Sequence, residues 1–379
     1  MGASDTRAIV VREAIMRLAG AGLQPHELLR QVARRVRSVV PYAGAGWLLT
    51  DPATMVLTGA VTEDVPEDLQ LALIDNELVT SDFGKFTEIA RLRRPVLRLS
   101  EATGGRPERS ARFRALYAPA GYGHELRVAF RADGACWAVC CLARRREQAP
   151  FSDAEVAFLA DLSEPVAVGV RTALRTRTRV GVPSAATDAG MLVLDAAGEI
   201  ESMTGAAARW LDELPDDGLR VPGVVREVAR RAHADQSGRG RLRARARVCA
   251  RTNRWLLVHG AVLRGAAGEP ARAAVILEPA GSAELAPLIV ALYGLTERER
   301  EVTALLGRGL TIANIGRTLS ISHHTVRDHI KAIFAKLRVN SRAELTAKLF
   351  YEHVIPAPAA SAGGTPASTP RRAGRRRCP

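Results

Sequence analysis

The segment from Leu295 to Phe350 constrains the fold of this chain more than any other, because its apolar residues form four short runs at helical spacing. Each run begins with a serine or threonine, whose hydroxyl can accept a hydrogen bond from a free backbone N–H at a helix start. In the first run Glu299 follows Thr296 by three residues, which is the spacing of a capping box. The segment is therefore predicted to be a small domain of four helices joined by short turns. The residues expected to cap the four helices are Thr296, Thr311, Ser322 and Ser341.

The third of these helices is predicted to have one buried face and one polar face. Residues 320–322 separate it from the second helix, and two helices joined by a three-residue turn form a helix-turn-helix. Its apolar residues recur every three or four positions, and at 100° per residue its charged residues fall on the opposite side. The apolar stripe consists of Val326, Ile330, Ile333 and Leu337, and the polar face of His324, Arg327, Asp328 and Lys331.

This polar face has the chemistry needed to read DNA. An α-helix fits the major groove of B-DNA, where Arg and Lys can donate to O6 and N7 of guanine and Asp can accept from N4 of cytosine. Arg327, Asp328 and Lys331 are therefore the candidate base-reading residues. An ordinary solvated face on a small helical bundle is the alternative, and the complete pattern of caps and turn favours DNA binding. The residues expected to meet phosphate near the positive start of this helix are Ser322, His324, Thr325 and His329.

Residues spread over all four predicted helices also match a known family pattern. They are Leu295–Val302, Gly309–Thr311, Ile315, Leu319, Ile321, Ser322, Thr325, Val326, His329, Ile330, Ile333, Lys336, Leu337, Val339 and Ser341–Leu345. With these residues the segment resembles the LuxR/NarL-type (FixJ-type) helix-turn-helix domain of bacterial transcription regulators. The resemblance implies that the third helix enters the major groove of double-stranded DNA. It also implies that the fourth helix joins two copies of the chain through Leu345, Leu349 and Phe350.

Two positions of the second helix depart from that family pattern. Asn314 stands where a Glu usually completes the helix cap, and Gly316 stands where Ala is usual. Glycine in a helix lowers helix stability by about 1 kcal/mol relative to alanine. It also permits a closer approach of the neighbouring recognition helix.

The N-terminal part of the chain is predicted to be an α+β domain. Two helical patterns come first, and a strong hairpin signal lies around Asp133-Gly134, between strands at 125–131 and 135–143. Ser152 is expected to cap one long helix that runs to Leu174. The hairpin Leu126–Arg144, with Trp137, and the segment Pro150–Ser152 resemble the end of a GAF domain. The resemblance implies a domain that binds a small ligand or pairs with another copy, although no ligand signature is present in the sequence.

A second α+β domain is predicted at 188–280. Two strands with a turn, two helices and three alternating strands follow one another, and this order resembles a PAS domain. The resemblance rests on Gly190–Ile200, Ala206–Trp210 and the last three strands. Met203–Gly205 stand where the family often has an Asn, so no cofactor is expected.

The chain is thus predicted to be a multidomain protein of 379 residues. Its net charge of +14 is concentrated near the C-terminus, because residues 291–355 carry +4 and the tail from 356 carries five arginines and no acid. This distribution fits a DNA-binding end on a more neutral body. The predicted parts are a GAF-like sensor domain (1–176), a linker (177–187), a PAS-like domain (188–280), a LuxR-type helix-turn-helix domain (285–355) and a disordered basic tail (356–379).

Several features exclude other classes of protein. No apolar run approaches the length of a membrane span, and the N-terminus lacks the apolar core of an export signal. We therefore expect a cytoplasmic protein that does not bind membranes. Five cysteines, unevenly spread, do not indicate a disulfide framework. His323 and His324 are adjacent and lack the spacing of a helical metal site, so neither a metal nor a cofactor is expected.

The sequence therefore favours a non-enzymatic transcription regulator that binds double-stranded DNA as a homodimer. RNA polymerase and a small-molecule signal are further partners that this class allows. One alternative is a sigma-factor-like protein, which would need an aromatic-rich promoter-melting segment upstream. The other is a GAF-fold thiol reductase that uses Cys136, Cys140 or Cys141. On a regular strand Cys136 and Cys140 would share one face with Ala138, and Cys141 would face the other way; buried cysteines usually act as small apolar residues.

Overall fold

The computed structural model describes residues 3–178, 188–236, 244–264 and 272–350. Most of the predicted linker and the whole predicted basic tail lie outside the described residues. None of the helices in the described ranges combines the length and the apolar character needed to cross a lipid bilayer.

The N-terminal domain is built on a five-stranded antiparallel sheet with the strand order β2-β1-β5-β4-β3. Helices cover both faces of this sheet, so the predicted α+β class is confirmed. A 3₁₀ turn (Pro107–Arg109) and a π-helical turn (Phe113–Tyr117) precede β4. The strands and helices are α1 (Ala3–Ala19), α2 (Pro25–Arg37), β1 (Gly44–Thr50), β2 (Leu57–Glu63), α3 (Glu67–Val79), α4 (Phe86–Ile89), β3 (Val96–Arg98), α5 (Leu99–Ala102), β4 (Tyr122–Ala132), β5 (Ala135–Arg145), α6 (Asp153–Asp161) and α7 (Ser163–Thr178).

The predicted single helix from Ser152 to Leu174 is wrong, because the chain forms α6 and α7 with a break at Leu162. Pro165 has no N–H and cannot bond to the carbonyl of Asp161, four positions earlier, so one continuous helix would lose a hydrogen bond at this point. At the break the Ser163 hydroxyl donates to the Ala129 carbonyl at 2.8 Å. The proline thus allows the chain to turn and α7 to pack on the sheet.

The predicted faces of the cysteines on β5 are also partly wrong. Phe130 pairs with Ala138 and Arg131 with Cys136, so Trp137 forms a β-bulge without a partner on β4. A bulge inserts one residue and reverses the alternation of side chains beyond it. Cys136 therefore packs on the α4 side of the sheet with Val139, whereas Cys140 lies on the opposite face.

The second domain is also built on a five-stranded antiparallel sheet, with the order β7-β6-β10-β9-β8. Its elements follow the predicted order of two strands, two helices and three strands. Helices α8 and α9 cover one face of the sheet around Trp210, Val225 and Val258, which are buried. The elements are β6 (Gly190–Leu194), β7 (Ile200–Met203), α8 (Gly205–Glu213), α9 (Gly223–Gln236), β8 (Arg245–Cys249), β9 (Trp255–Leu263) and β10 (Arg272–Pro279).

Between Ser282 and Phe350, the last of the described residues, the chain forms five helices. The first, α10, packs against both α7 and α14. Its apolar side chains belong to a buried cluster that extends from the first domain into the last. The helices are α10 (Ser282–Leu292), α11 (Glu297–Gly307), α12 (Ile312–Leu319), α13 (His323–Leu337) and α14 (Arg342–Phe350).

Candidate nucleic-acid interface

The turn between α12 and α13 is set by local hydrogen bonds. The Thr311 hydroxyl accepts from the Asn314 N–H at 3.3 Å, and the Ser322 hydroxyl accepts from the Thr325 N–H at 3.0 Å. Ser320, with φ of 54°, ends α12 in the left-handed region. Short polar residues tolerate this conformation better than branched ones. The predicted caps Thr311 and Ser322 are therefore present at the starts of α12 and α13.

Gly316 allows the turn to lie directly on α12. A Cβ atom at this position would be 2.9 Å from the Ile321 carbonyl oxygen and 3.1 Å from Cδ2 of His323. The first of these is a backbone atom, which cannot rotate away as a side chain would. The departure from alanine therefore has a structural reason: the chain packs α12 and the start of α13 more closely than alanine permits.

The inner face of α13 packs against the rest of the domain. Val326, Ile333 and Leu337 are fully buried, and Ile330 is half-buried. These side chains join Val302 of α11 and other apolar residues in the buried cluster. The stripe predicted from helical spacing therefore lies inside the domain and leaves the opposite face of α13 to solvent.

Glu299 and Lys336 tie α11 to the recognition helix α13. Glu299 completes the predicted capping box with Thr296 and also accepts from Lys336 Nζ at 2.6 Å. Burial alone would raise the pKa of Glu299, but hydrogen bonds from Lys336 and Thr296 outweigh it and lower the pKa. The carboxylate therefore stays charged and holds the two helices together.

The outer face of α13 presents the predicted base-reading residues. Arg327 and Lys331, one helical turn apart, are exposed, and neither forms an ion pair among the described residues. They line a groove together with Phe334 and Arg338. Arg338 ends α13 with φ of 53° and adds a third cation to this groove. The prediction missed Arg338, although its position directly after the last apolar residue of the stripe was a usable signal.

Asp328 and His324 form a pair on the same outer face. Nδ1 of His324 lies 2.9 Å from the Asp328 carboxylate, and the two side chains are 85% and 65% exposed. A carboxylate facing phosphate is repelled unless a cation or a base amine balances it. In the DNA-free chain, His324 is the group that lies next to the Asp328 carboxylate.

The remaining residues expected to meet phosphate lie around the start of α13. The hydroxyls of Ser322 and Thr325 are 2.8 Å apart, with Ser322 exposed and Thr325 half-buried. His329 is half-buried on the flank of the helix. Ser322, Thr325 and His324 therefore cluster at the N-terminus of α13, and His329 stands one turn further along.

Two of the residues predicted to form a dimer contact on α14 are buried within the single chain. Leu345 and Leu349 are only 1% and 4% exposed, because α10 of the same chain covers them. Nζ of Lys348 lies 5.3 Å from the ring centre of Tyr293, which follows α10. The side chain of Phe350 lies outside the described residues. A second copy could contact Leu345 and Leu349 only if α10 moved away.

The helix-turn-helix domain also rests against the first domain. Arg300 of α11 donates to the Asp133 carbonyl at 2.5 Å, and Asp133 sits in the tight turn between β4 and β5. Arg171 of α7 pairs with the Asp133 carboxylate. These contacts involve α11, so the outer face of α13 remains open to solvent.

The first domain contains an apolar cavity of about 90 Å³ beneath α3. Its walls include Leu69, Leu73 and Tyr117, and the second domain closes it with Leu219 and Val224. A water molecule needs about 10–15 Å³ on this measure, so the cavity could hold several waters or the apolar end of a small organic molecule.

A buried network of charges forms one end of this cavity. Arg112 donates to Glu125 at 2.9 Å, and Arg127 donates to both Glu125 and Glu77 at 2.7 Å. Burial alone would raise the pKa of Glu125, but the two guanidinium groups outweigh it and lower the pKa to about 2. The charges are therefore paired with one another, and the cavity itself is lined mainly by apolar atoms.

The three cysteines of β5 do not have the properties of reactive thiols. Burial raises the pKa of Cys136 to about 12 and that of Cys141 to about 11, and it raises the pKa of Cys140 as well. A nucleophilic cysteine requires a lowered pKa and an accessible sulfur. Within the described ranges, no three His, Cys, Asp or Glu side chains are grouped so that they could hold a metal ion.

Together, α12, the turn and α13 define a helix-turn-helix DNA-binding domain attached to two antiparallel α+β domains. Residues 294–349 match the bacterial regulatory proteins of the luxR family, and residues 24–170 match the GAF domain. The chain therefore carries a GAF domain in its N-terminal part and a LuxR-type helix-turn-helix domain in its C-terminal part, and both predictions are confirmed.

One curated relative supports the assignment of the C-terminal domain. Over 64 residues the chain is 48% identical to a protein of Aeromonas salmonicida whose name describes it as an HTH-type transcriptional regulator in the exeN 3' region. The match covers 17% of this chain and 32% of that protein. The chain thus spans about a third of the length of this relative, and the match concerns one domain.

Three solved structures with some similarity are two proteins with GAF domains and one LBD domain. They are a GAF domain/HD domain protein of Geobacter sulfurreducens (17% identity, 42% of this chain and 97% of that chain, TM-score 0.31), the GAF domain of a phosphoenolpyruvate-protein phosphotransferase of Coxiella burnetii (14%, 46% and 98%, 0.33) and the VqsR LBD domain of Pseudomonas aeruginosa (16%, 46% and 98%, 0.30). At these TM-scores the likenesses carry no argument about function.

Proposed function

We propose that this chain is a transcription regulator that binds double-stranded DNA by inserting α13 into the major groove. The observation that carries the proposal is the division of α13 into a largely buried apolar stripe and an exposed face with Arg327 and Lys331. Both side chains are long donors without an ion-pair partner among the described residues, and such groups suit guanine O6 and N7. Asp328 is the third base-reading residue of the proposal, and Ser322, His324, Thr325 and His329 position the phosphates.

The regulator is proposed to act as a homodimer in the cytoplasm, where RNA polymerase is an additional partner. Two recognition helices would then read half-sites about one helical turn apart. Because α10 covers Leu345 and Leu349, pairing through α14 requires α10 to be displaced. A protein that sediments as a monomer on its operator would refute this part of the proposal.

The two N-terminal domains are proposed to set the activity of the DNA-binding domain. The GAF domain contains a cavity suited to the apolar part of a small-molecule signal. The second domain, proposed to be PAS-like from its order of strands and helices, supplies Leu219 and Val224 to the same cavity. A ligand there would contact both domains at once. The boundaries 1–176, 188–280 and 285–355 belong to this proposal.

The two alternatives are less well supported. The thiol-reductase hypothesis requires an activated cysteine, whereas burial raises the pKa of Cys136, Cys140 and Cys141. The sigma-factor hypothesis requires an aromatic-rich melting segment, and the upstream sequence folds instead into antiparallel α+β domains. Both observations favour the regulator.

Selection of binding sites from random double-stranded DNA tests the proposal directly. The full chain should enrich one short motif, and the double variant Arg327→Ala/Lys331→Ala should not. The double variant Arg34→Ala/Arg308→Ala, which removes two exposed cations away from α13, serves as the control and should enrich the wild-type motif. Equal enrichment by the Arg327/Lys331 variant would contradict the proposal.

A further inference from the structure

A second cavity, of about 340 Å³, lies where the two N-terminal domains meet α10. We call it the junction pocket. Its walls come from the first domain (His26 of α2 and Arg177 of α7), from the second domain (Asp216 and Arg251) and from α10 (Leu288). The pocket is distinct from the apolar cavity beneath α3, with which it shares no lining residue.

Two residues that line the junction pocket each have a buried side-chain nitrogen without a hydrogen-bond partner among the described residues. The two atoms are Nε2 of His26 and Nε of Arg177. Buried polar groups in folded proteins nearly always have a partner, so each orphaned atom needs an explanation. Both nitrogens are enclosed by protein atoms, so they mark polar residues at this wall and are not themselves open to a ligand in the pocket.

The charges around the junction pocket are not balanced. Arg247 is neutralised by Asp51, with which it forms a bidentate pair. Arg177 and Arg251 donate to backbone carbonyls, and Arg177 also interacts with the Cys249 thiol, so among the described residues neither guanidinium meets a carboxylate. Asp216 is the remaining acid on the wall. The pocket therefore holds a surplus of positive charge.

The N-terminus of α2 adds to this positive potential. The helix begins at Pro25, and its capping residue, Gln24, makes no side-chain hydrogen bond to the helix. Gln24 and Pro25 are both part of the pocket wall. The first N–H groups of a helix carry partial positive charge and favour an anion.

We propose that the junction pocket binds a small oxyanion, a phosphate- or carboxylate-bearing metabolite, held by Arg177 and Arg251. The two guanidinium groups supply charge and paired donors, which suit the planar or tetrahedral oxygens of such groups. The carboxylate of Asp216 limits the charge that the pocket tolerates and favours a small ligand over a long polyanion.

The position of this pocket gives the ligand a route to the DNA-binding domain. Leu288, on its wall, belongs to α10, and α10 covers Leu345 and Leu349 of α14. An oxyanion in the junction pocket would thus contact both sensor-type domains and the helix that leads into the helix-turn-helix. This link from the pocket to the DNA-binding domain rests on the proposed regulatory function, whereas oxyanion binding itself does not.

Thermal unfolding and titration calorimetry of the full chain test the site. Inorganic phosphate and succinate are added in separate arms, each against sodium chloride at equal ionic strength. At least one should raise the melting temperature saturably, and the arm with the larger effect identifies the oxyanion. Arg177→Gln and Arg251→Gln should each weaken this binding at least tenfold, whereas Arg34→Gln, on the exposed face of α2, should leave it unchanged.

Two results would overturn the proposal: equal shifts in chloride and in both oxyanions, or binding that both arginine variants retain. Arg251 is exposed, so Arg251→Gln is expected to fold and decides the matter if Arg177→Gln does not. The variant Arg327→Ala/Lys331→Ala must still bind the oxyanion. Loss of DNA binding and loss of the junction site can therefore be told apart.

Discussion

The carboxylate of Asp51, after β1, accepts hydrogen bonds from Nη2 and Nε of Arg247, in β8, at 2.6 and 3.0 Å. The two side chains are 1% and 7% exposed. Nη1 of the same guanidinium donates to the Glu284 carbonyl in α10 at 3.0 Å. Arg247 therefore joins the GAF domain, the second domain and the helix that leads into the DNA-binding domain.

Replacing Arg247 with Met should destabilise the chain by about 3–5 kcal/mol, because it leaves the Asp51 carboxylate buried without its partner. Urea unfolding followed by circular dichroism measures this loss. The exposed pair of Arg37 and Asp64 serves as the control, and Asp64→Asn should change stability by no more than about 1 kcal/mol. A similar small effect of both variants would show that Arg247 does not hold the domains together.

Lys331→Ala should weaken operator binding by about 1–3 kcal/mol and relax the preference at one base pair if Lys331 reads a base. Fluorescence anisotropy with the selected operator and with single-base variants measures both effects. Arg308→Ala, which removes an exposed cation at the end of α11, is the control and should bind as the wild type does. Equal losses on every DNA sequence, with a salt dependence reduced by about one unit, would assign Lys331 to phosphate.

Gly316→Ala should lower the stability of the helix-turn-helix although alanine is the better helix former. The added Cβ would lie 2.9 Å from the Ile321 carbonyl oxygen, and such overpacking typically costs about 1–3 kcal/mol, against a propensity gain of about 1 kcal/mol. Thermal unfolding gives the net sign. Ala335→Gly, on the exposed side of α13, isolates the propensity effect alone. A Gly316→Ala protein more stable than the wild type would contradict the close packing of the turn on α12.

His26 should make the stability of the chain depend on pH between about 6.5 and 4. Burial, followed by the charges of Arg177 and Arg30, lowers the pKa of His26 from 6.5 to about 4 in the folded state. Below pH 6.5 the unfolded chain binds a proton that the folded chain does not, so the unfolding free energy falls as the pH drops.

The loss approaches about 3 kcal/mol once the pH reaches 4, at 1.36 kcal/mol for each unit of pKa. Urea unfolding of the wild type and of His26→Gln across this range isolates the contribution of His26 from that of the carboxylates. Parallel pH curves for the two proteins would show that His26 titrates normally in the folded state.

The helix-turn-helix was predictable in detail because its determinants are local. The hydroxyls of Thr296, Thr311 and Ser322 bond to N–H groups three residues away, and these bonds are present in the structure. The β4–β5 hairpin was predictable for the same reason, since Asp133 and Gly134 both adopt the positive φ that its tight turn requires. The helix break at Leu162 also had a local signal, because Pro165 lies three residues after it in the sequence.

Other features depend on contacts that no local pattern contains. The bulge at Trp137 reverses the face of Cys136, and only the observed pairing of β4 with β5 reveals it. The spacing of Leu345 and Leu349 fits an exposed dimer surface and a buried core equally well. Which of the two they form was decided by the packing of α10 against α14.

The amino-acid sequence alone determined most of the helices and strands and which face of α13 is polar. These properties follow from spacings of two to four residues along the chain. The tertiary structure alone decided how the three domains contact one another, which side chains surround the junction pocket and what covers α14. Asp51 and Arg247 are separated by 196 positions, and contacts at that separation form only when whole domains pack together.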